Sequence, residues 1–468
     1  MSRSRVALAV GALLSSLSAC DAPARPELVL VVDVDMPVSG QVGDGAAFSA
    51  DAAVDTLRIE VFDADRQRID DRALSIATTA SLPLSFGIPS DIISSGPVLV
   101  RIRAFRGVYS TPGFSGDKPI SDPIQEVTVD RLIELTLPED GVVERHVTLH
   151  GDCMGVPIQF GVAGAPNRTC IDAEHPSAPA LEEDSEETSV DGTVAGTWAL
   201  AAVLPCQGTA PRGAVCIPGG LSVVGDPLFL ARNELEYDAV PIRPTLHAPF
   251  FMDQTEVTVG ELRALVADGY SGPLPTTQSA QFPDCTWSPA TSADMPVNCI
   301  LYAVADLVCA ERGGTVPSEA QWEHAARGRG ERRLFAWVGN QINCCSASLG
   351  RFPNAGCDGG YGAEPVKSHP GDDACPGDVS RDGVFDLTGS VGEIVLDTFG
   401  SYADACWQPD GPLAIPHDPI CDETSLRLSR GAAWNAAFGD ATLPARKSFG
   451  EAGSDQGFRC VYSDEPAP

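Results

Sequence analysis

The stretch Leu428-SRGAAWNAAFGDATLPARKSFGEAGSDQGFR-Cys460 decides how this chain is read. It opens on Arg430-Gly431-Ala432-Ala433-Trp434, where a glycine and two small residues separate a guanidinium from an indole, and closes on Gly457-Phe458-Arg459-Cys460. Between the two ends stand Ala436 and Ala441. Alanine supplies neither a metal ligand nor a redox thiol, so chemistry that needs thiolates at those two positions is closed to this chain.

The rest of the chain sets the frame around that stretch. Its 468 residues are enough for two or three domains, each with its own core, and 46 glycines and 38 prolines make it loop-rich. Asp and Glu outnumber Lys and Arg by 64 to 31, a formal charge of −33. Such a surface repels phosphate backbones and anionic lipid heads, so nucleic acid is not the expected partner; divalent cations and basic surfaces fit better, and solubility alone also accounts for the charge.

The N-terminus carries an address. Arg3 and Arg5 precede an apolar run, Val6 to Leu17, that is too short to span a bilayer, and Leu17-Ser18-Ala19-Cys20 follows. This resembles a bacterial lipobox. Residues 1–19 then read as a lipoprotein signal peptide and Cys20 as the acylated first mature residue, which predicts a chain tied to a membrane of the bacterial cell envelope, at its periplasmic face or the cell surface. Cysteine usage agrees: fifteen cysteines less Cys20 leave fourteen, which an oxidising compartment would pair into as many as seven disulfides. Zinc is the competing use of cysteine, but no C-x-x-C pair occurs and the seven histidines are scattered.

Residues 20–151 read as an all-β domain. Glu27-LVLVVDV-Asp35, Asp55-TLRIEVF-Asp63, Pro97-VLVRIRA-Phe105 and Val142-VERHVT-Leu149 are β-branched-rich runs set between turn residues. In the second, alternation predicts Leu57, Ile59 and Val61 toward a core with Arg58 and Glu60 toward water. Short strands at this spacing predict an immunoglobulin-like sandwich. His146 and His150 have the i, i+4 spacing of a helical metal site, but on a strand they stand about 13 Å apart and do not share an ion. Residues 152–215 read as a linker: Cys153 with Cys170 and Cys206 with Cys216 are candidate staples, and Ala180-LEEDSEETSVDG-Thr193 has the composition of a solvated segment.

Helices are called for only beyond this point. Thr258 and Glu261 form a capping box, with Val257 and Leu262 placed to staple it and Gly269 to stop the helix; a second helix spans Ile300 to Arg312; and Ser318 with Gln321 caps a third ending at Gly328. Several motifs run in order here: Ile217-Pro218-Gly219-Gly220, Phe250-FMDQTEV-Thr258, Pro317-SEAQWEHAAR-Gly328, Leu334-FAWVG-Asn340 with Cys344-CSAS-Leu349, Gly383-VFDLTGSVGE-Ile394, and the stretch quoted first. Together they resemble formylglycine-generating enzymes, the sulfatase-modifying factors, over residues 216–463, leaving a short tail at 464–468. The resemblance implies a mixed α/β body of low regular secondary structure related to C-type lectins, and a disulfide from Cys309 to Cys460. Cys406 and Cys421 are candidates for a local pair.

The functional implications depart from the family at its centre. In the enzymes that oxidise a sulfatase cysteine, two cysteines follow the R-G-G-S-W turn and hold copper(I); here the matching positions are Ala436 and Ala441. His324 stands where the family has tyrosine, Ser348 and Ser390 where it has asparagine, and Ile394 where it has tryptophan, while Glu393 is kept. Calcium, which the family binds structurally through hard oxygens, is admitted with Glu393 as a ligand candidate; copper and iron are disfavoured. The reading is therefore a non-catalytic recognition domain with Trp434, Asn435, Arg446 and Arg459 as cleft candidates for an unknown protein or small ligand. The alternative is a metal-dependent oxidoreductase, like relatives in ergothioneine synthesis or pyoverdine maturation. Trp434 in a core and Arg459 on a buried acid are the plain structural alternatives for those residues.

Overall fold

β-Branched runs form strands where alternation predicts them, and two sheets close over their apolar faces. The structure, a computed structural model, describes residues 25–38, 53–93, 96–115, 118–162, 164–180, 193–226, 239–328, 331–339, 341–352, 357, 360–408, 415–450 and 452–464. The expected signal peptide at 1–19, the expected acylation site Cys20 and the acidic run at 181–192 lie outside the described residues. The strand Glu27–Val34 lies between Leu84–Pro89, antiparallel, and Val142–Leu149, parallel. A second, antiparallel sheet has Thr56–Phe62 and Val98–Phe105 at its centre and Arg68–Ser75 and Val129–Leu135 at its edges. Leu28, Leu30 and Val32 of the first sheet and Leu57, Ile59 and Val61 of the second share one core.

Arg58 and Glu60 do not face water. They are 1% and 3% exposed, and the outer face of the second sheet is an ion-pair network. Arg58 binds Asp71 at 2.9 Å and Asp122 at 3.0 Å, and Arg103 binds Glu60 at 2.6 Å. Asp122 comes from the hairpin of Ser110–Ser115 and Lys118–Pro123, which brings its carboxylate to this face. Period-2 alternation locates the polar face of a strand; it does not say whether a later hairpin covers that face. His146 and His150 serve separate acids, Glu144 at 2.8 Å and Asp35 at 2.9 Å.

The described parts of the expected linker divide between the two cores: Cys153, Cys170, Ala195, Trp198 and Ala201 pack on the sandwich, whereas Cys206 and Ala214 join the C-terminal core. Asp33 accepts hydrogen bonds from the Thr193 hydroxyl at 2.8 Å and the Val194 amide at 2.9 Å. Trp198, 5% exposed, joins the sandwich core and donates its indole N–H to Asp152. A large indole provides enough apolar area to hold a segment whose overall composition reads as polar.

Among the described residues the C-terminal region is mostly strands and loops with three short α-helices: α1 (Val259–Ala267), α2 (Tyr302–Glu311) and α3 (Glu319–Ala326). The capping boxes of Thr258 with Glu261 and Ser318 with Gln321 are both formed. One sheet orders Ala214–Ile217, Phe250–Asp253 and Val461–Ser463; another orders Arg446–Phe449, Arg427–Arg430, Gly392–Thr398 and Gln456–Gly457. Seven disulfides pair Cys153 with Cys170, Cys206 with Cys216, Cys285 with Cys299, Cys309 with Cys460, Cys344 with Cys357, Cys345 with Cys375 and Cys406 with Cys421. The Cys309 bond ties α2 to the end of the quoted stretch. Among the described residues no helix is long and apolar enough to cross a membrane.

Candidate functional site

Helix α3 carries Glu319 and Glu323 four residues apart, hence on one face. That face meets two adjacent strands on which Arg430 and Arg446 are register partners. Like charges so placed repel unless an acid lies between them. Glu319 does this: it accepts Arg430 Nη1 at 2.6 Å, Arg446 Nε at 2.7 Å and Arg446 Nη2 at 2.8 Å. Glu323 accepts Arg430 Nη2 at 2.7 Å and Arg327 Nη1 at 2.7 Å, and Arg327 lies 3.8 Å from Asp226. The result is an alternating row, Asp226–Arg327–Glu323–Arg430–Glu319–Arg446, in which no member exceeds 1% exposure. Burial alone would raise the Glu319 carboxyl, but the guanidiniums of Arg446 and Arg430 outweigh it and hold the group below the ordinary glutamate range.

Arg446 is therefore committed inside the fold. Its Nη1 donates to the Gly400 carbonyl, and its guanidinium lies 4.2 Å from the Tyr402 ring centroid. Gly431, which follows Arg430, has a φ of +74°, and a Cβ there would come within 2.8 Å of the Leu387 carbonyl oxygen. Only glycine fits at that point of the turn.

Arg459 is also internal, at 0% exposure. Its Nε and Nη2 grip Glu393 at 2.6 and 2.5 Å, its Nη1 donates to the Asp253 carbonyl, and Trp322 Nε1 donates to Glu393 at 2.8 Å. Glu393 thus has its carboxylate engaged by protein donors and is a poor calcium ligand. A different acid in this neighbourhood is free. Glu256 is fully buried, neither of its carboxylate oxygens has a hydrogen-bond partner, and burial together with the nearby Asp386 charge pushes its pKa well up. A hard cation would suit those oxygens. Among the described residues no three His, Cys, Asp or Glu side chains are placed to hold a metal, so a cation at Glu256 would also need other oxygen donors. In the sequence Glu256 is only the glutamate of a strand end.

Trp434 is 3% exposed; its indole donates to the Ser454 carbonyl at 3.0 Å and meets the Tyr361 ring edge-on at 5.0 Å. It is packed inside the fold and is not a contact surface. Asn435, next along, is exposed. Beside it lies a cavity of about 340 Å³. Its apolar lining is Phe352 and the alanines 432, 433, 436, 437 and 445, and its polar lining includes Asn435, Asp440, Lys447 and Gln456. Ala436 is in that wall, whereas Ala441 is 1% exposed in the adjoining core. Neither offers a donor to copper, so the donor set does not fit that metal. Of the four cleft candidates, Asn435 and Arg446 line the cavity, the first exposed and the second buried, whereas Trp434 and Arg459 lie in the interior. Phe352, Asp440, Lys447 and Gln456 carry no sequence signal of their own, because each reads as an ordinary loop or strand residue.

Comparisons with known proteins agree with this architecture. Residues 201–464, more than half of the chain, match the model of the sulfatase-modifying factor enzyme 1-like domain. The "Inactive C-alpha-formylglycine-generating enzyme 2" of Mus musculus is 30% identical over 181 residues, 36% of this chain and 50% of that protein. The "Formylglycine-generating enzyme" of Bos taurus is 26% identical over 309 residues, 55% of this chain and 75% of that protein. The chain spans about half the length of the inactive relatives it matches. Among solved structures, PvdO from Pseudomonas aeruginosa aligns with a TM-score of 0.41 at 23% identity, covering 56% of this chain and 99% of that one. From residue 201 to 464 this chain belongs to the sulfatase-modifying factor enzyme 1-like domain family.

Proposed function

We propose that this protein is a lipid-anchored component of the bacterial cell envelope whose C-terminal domain binds a ligand in the cavity beside Asn435 and does not make formylglycine. The observation that carries the second half is chemical. Formylglycine formation on this fold uses two thiolates, and their positions hold Ala436 in the cavity wall and Ala441 in the core. The remaining fourteen cysteines beyond Cys20 are all in disulfides, so no thiolate is left to substitute. Relatives named as inactive among the matched proteins support the same reading. A lipid on Cys20, an immunoglobulin-like spacer and a domain whose loops are stapled by disulfides make a display device: the anchor fixes position and the cavity selects a partner.

The test incubates the mature chain with copper(I) and a cysteine-containing sulfatase peptide under air, then reads aldehyde with a hydrazide probe and bound copper by mass spectrometry. No aldehyde and no stoichiometric copper are expected. Aldehyde formation at a rate above the protein-free control overturns the reading. For the anchor, metabolic labelling with an alkyne fatty acid should mark the wild type and spare Cys20→Ala.

A further inference from the structure

We infer that the cavity beside Asn435 takes a protonated primary amine carried on an aliphatic stem. This rests on the binding reading above and names the ligand chemistry. The walls set the stem: Phe352 and five alanines line the cavity, and small apolar side chains leave a channel for methylenes with nothing to hydrogen-bond along it. The polar groups set the head.

Both cations in the lining are already committed. Arg446 gives its donors to Glu319 and the Gly400 carbonyl, and Lys447 holds Asp455 at 2.7 Å. The acceptors, by contrast, are unclaimed. Among the described residues the Asp440 carboxylate makes no hydrogen bond or ion pair, and the Asn435 side chain makes none. Gln456 is 2% exposed, lines the same cavity, and its buried Oε1 has no partner. A cavity with its positive charges neutralised, one free carboxylate and a stranded amide oxygen presents unpaired acceptors and uncompensated negative charge, and an ammonium group supplies three donors with the matching charge. The formal charge of −33 adds a long-range attraction for cations and repels an anionic competitor. An anionic head would find no free cation here, and a neutral one would leave Asp440 uncompensated.

The same ammonium chemistry is offered by a free diamine and by a lysine side chain of a partner protein, and the experiment separates them. The full mature chain is titrated calorimetrically in 150 mM salt with cadaverine, with Nα-acetyl-lysine N-methylamide, and with pentanol and valerate as neutral and anionic isosteres. Binding of the amines and not of the isosteres is expected. Asp440→Asn should weaken amine binding by about tenfold, the scale of losing one charge-assisted hydrogen bond. Lys447→Ala, which removes a cation and releases Asp455, should tighten it, an effect of opposite sign that a loss of folding does not mimic. Tighter binding of cadaverine assigns a free amine; tighter binding of the lysine amide assigns a partner's lysine. Equal binding of pentanol or valerate, unchanged affinity in Asp440→Asn, or no heat from either amine at 10 mM ligand, on the order of the weakest useful affinities, overturns the inference. That failure would leave the non-catalytic reading intact, whereas aldehyde formation in the copper assay would remove the reading whatever the amines do.

Discussion

Replacing Arg446 with methionine separates a structural arginine from a ligand-binding one. Methionine keeps an unbranched apolar stem and deletes the charge, and with it the guanidinium that lies over the Tyr402 and Phe399 rings. In the native fold the guanidinium satisfies both Glu319 oxygens and the Gly400 carbonyl at 1% exposure. Removing one member of a buried, hydrogen-bonded pair typically costs about 3–5 kcal/mol. Glu319 would still hold Arg430 Nη1 at 2.6 Å and the Tyr402 hydroxyl at 3.1 Å, which places R446M near the lower end, about 3 kcal/mol. E319Q takes from Arg446 the carboxylate that grips its Nε and Nη2, and from Arg430 one of the two it holds among the described residues, so it should sit near the upper end, about 5 kcal/mol. The double variant should fall short of the additive loss by about 2 kcal/mol, because both changes act on one network. Guanidinium unfolding of the oxidised protein, followed by near-UV circular dichroism, measures these values, with amine titration run on the same samples. An R446M protein within about 1 kcal/mol of the wild type that has lost ligand affinity would refute the argument and return Arg446 to the cleft.

Three further outcomes follow from the same physical chemistry. Cys309 and Cys460 are 151 residues apart, so on the chain-entropy model the double serine variant should lose about 5 kcal/mol, read as a fall in the denaturant midpoint without loss of the other disulfides. Asp397 is buried with its pKa pushed up to about 7 by desolvation and then by the Glu319 charge, although it accepts the Glu319 and Cys421 amides. Against an unfolded value of about 3.9, that raised pKa contributes stability fully present below pH ~4 and lost as pH rises to about 7, on the order of 4 kcal/mol. Asp397→Asn should flatten the stability profile across that window, and an unchanged slope would dismiss the assignment. Finally, if the orphaned Glu256 carboxylate serves a hard cation, millimolar calcium should raise the melting temperature of the wild type and leave Glu256→Gln unmoved; identical responses in the two proteins would discard the site.

What the sequence by itself determined is local or subtractive. The capping boxes at Thr258 and Ser318 were legible because a cap and its return partner lie three residues apart. The central strands were legible because β-branched residues repeat with period two, and the proposal that the chain lacks thiolate chemistry rests on Ala436 and Ala441, which are read from the sequence. The tertiary structure decided everything that depends on a partner far along the chain. Arg446 lines the cavity as expected, but its donors proved committed once Glu319, 127 residues away, was found on it, and Arg459 proved internal once Glu393, 66 residues away, was found on it. Arg58 and Glu60 looked solvated until a hairpin carried Asp122 to their face. Asp440 and Gln456 acquired meaning only when a cavity formed between strands that sequence does not pair. Periodicity and capping act over a few residues, so a sequence shows them directly; the burial of a charge is settled by whether a counter-charge arrives from elsewhere in the fold, and that is a property of packing.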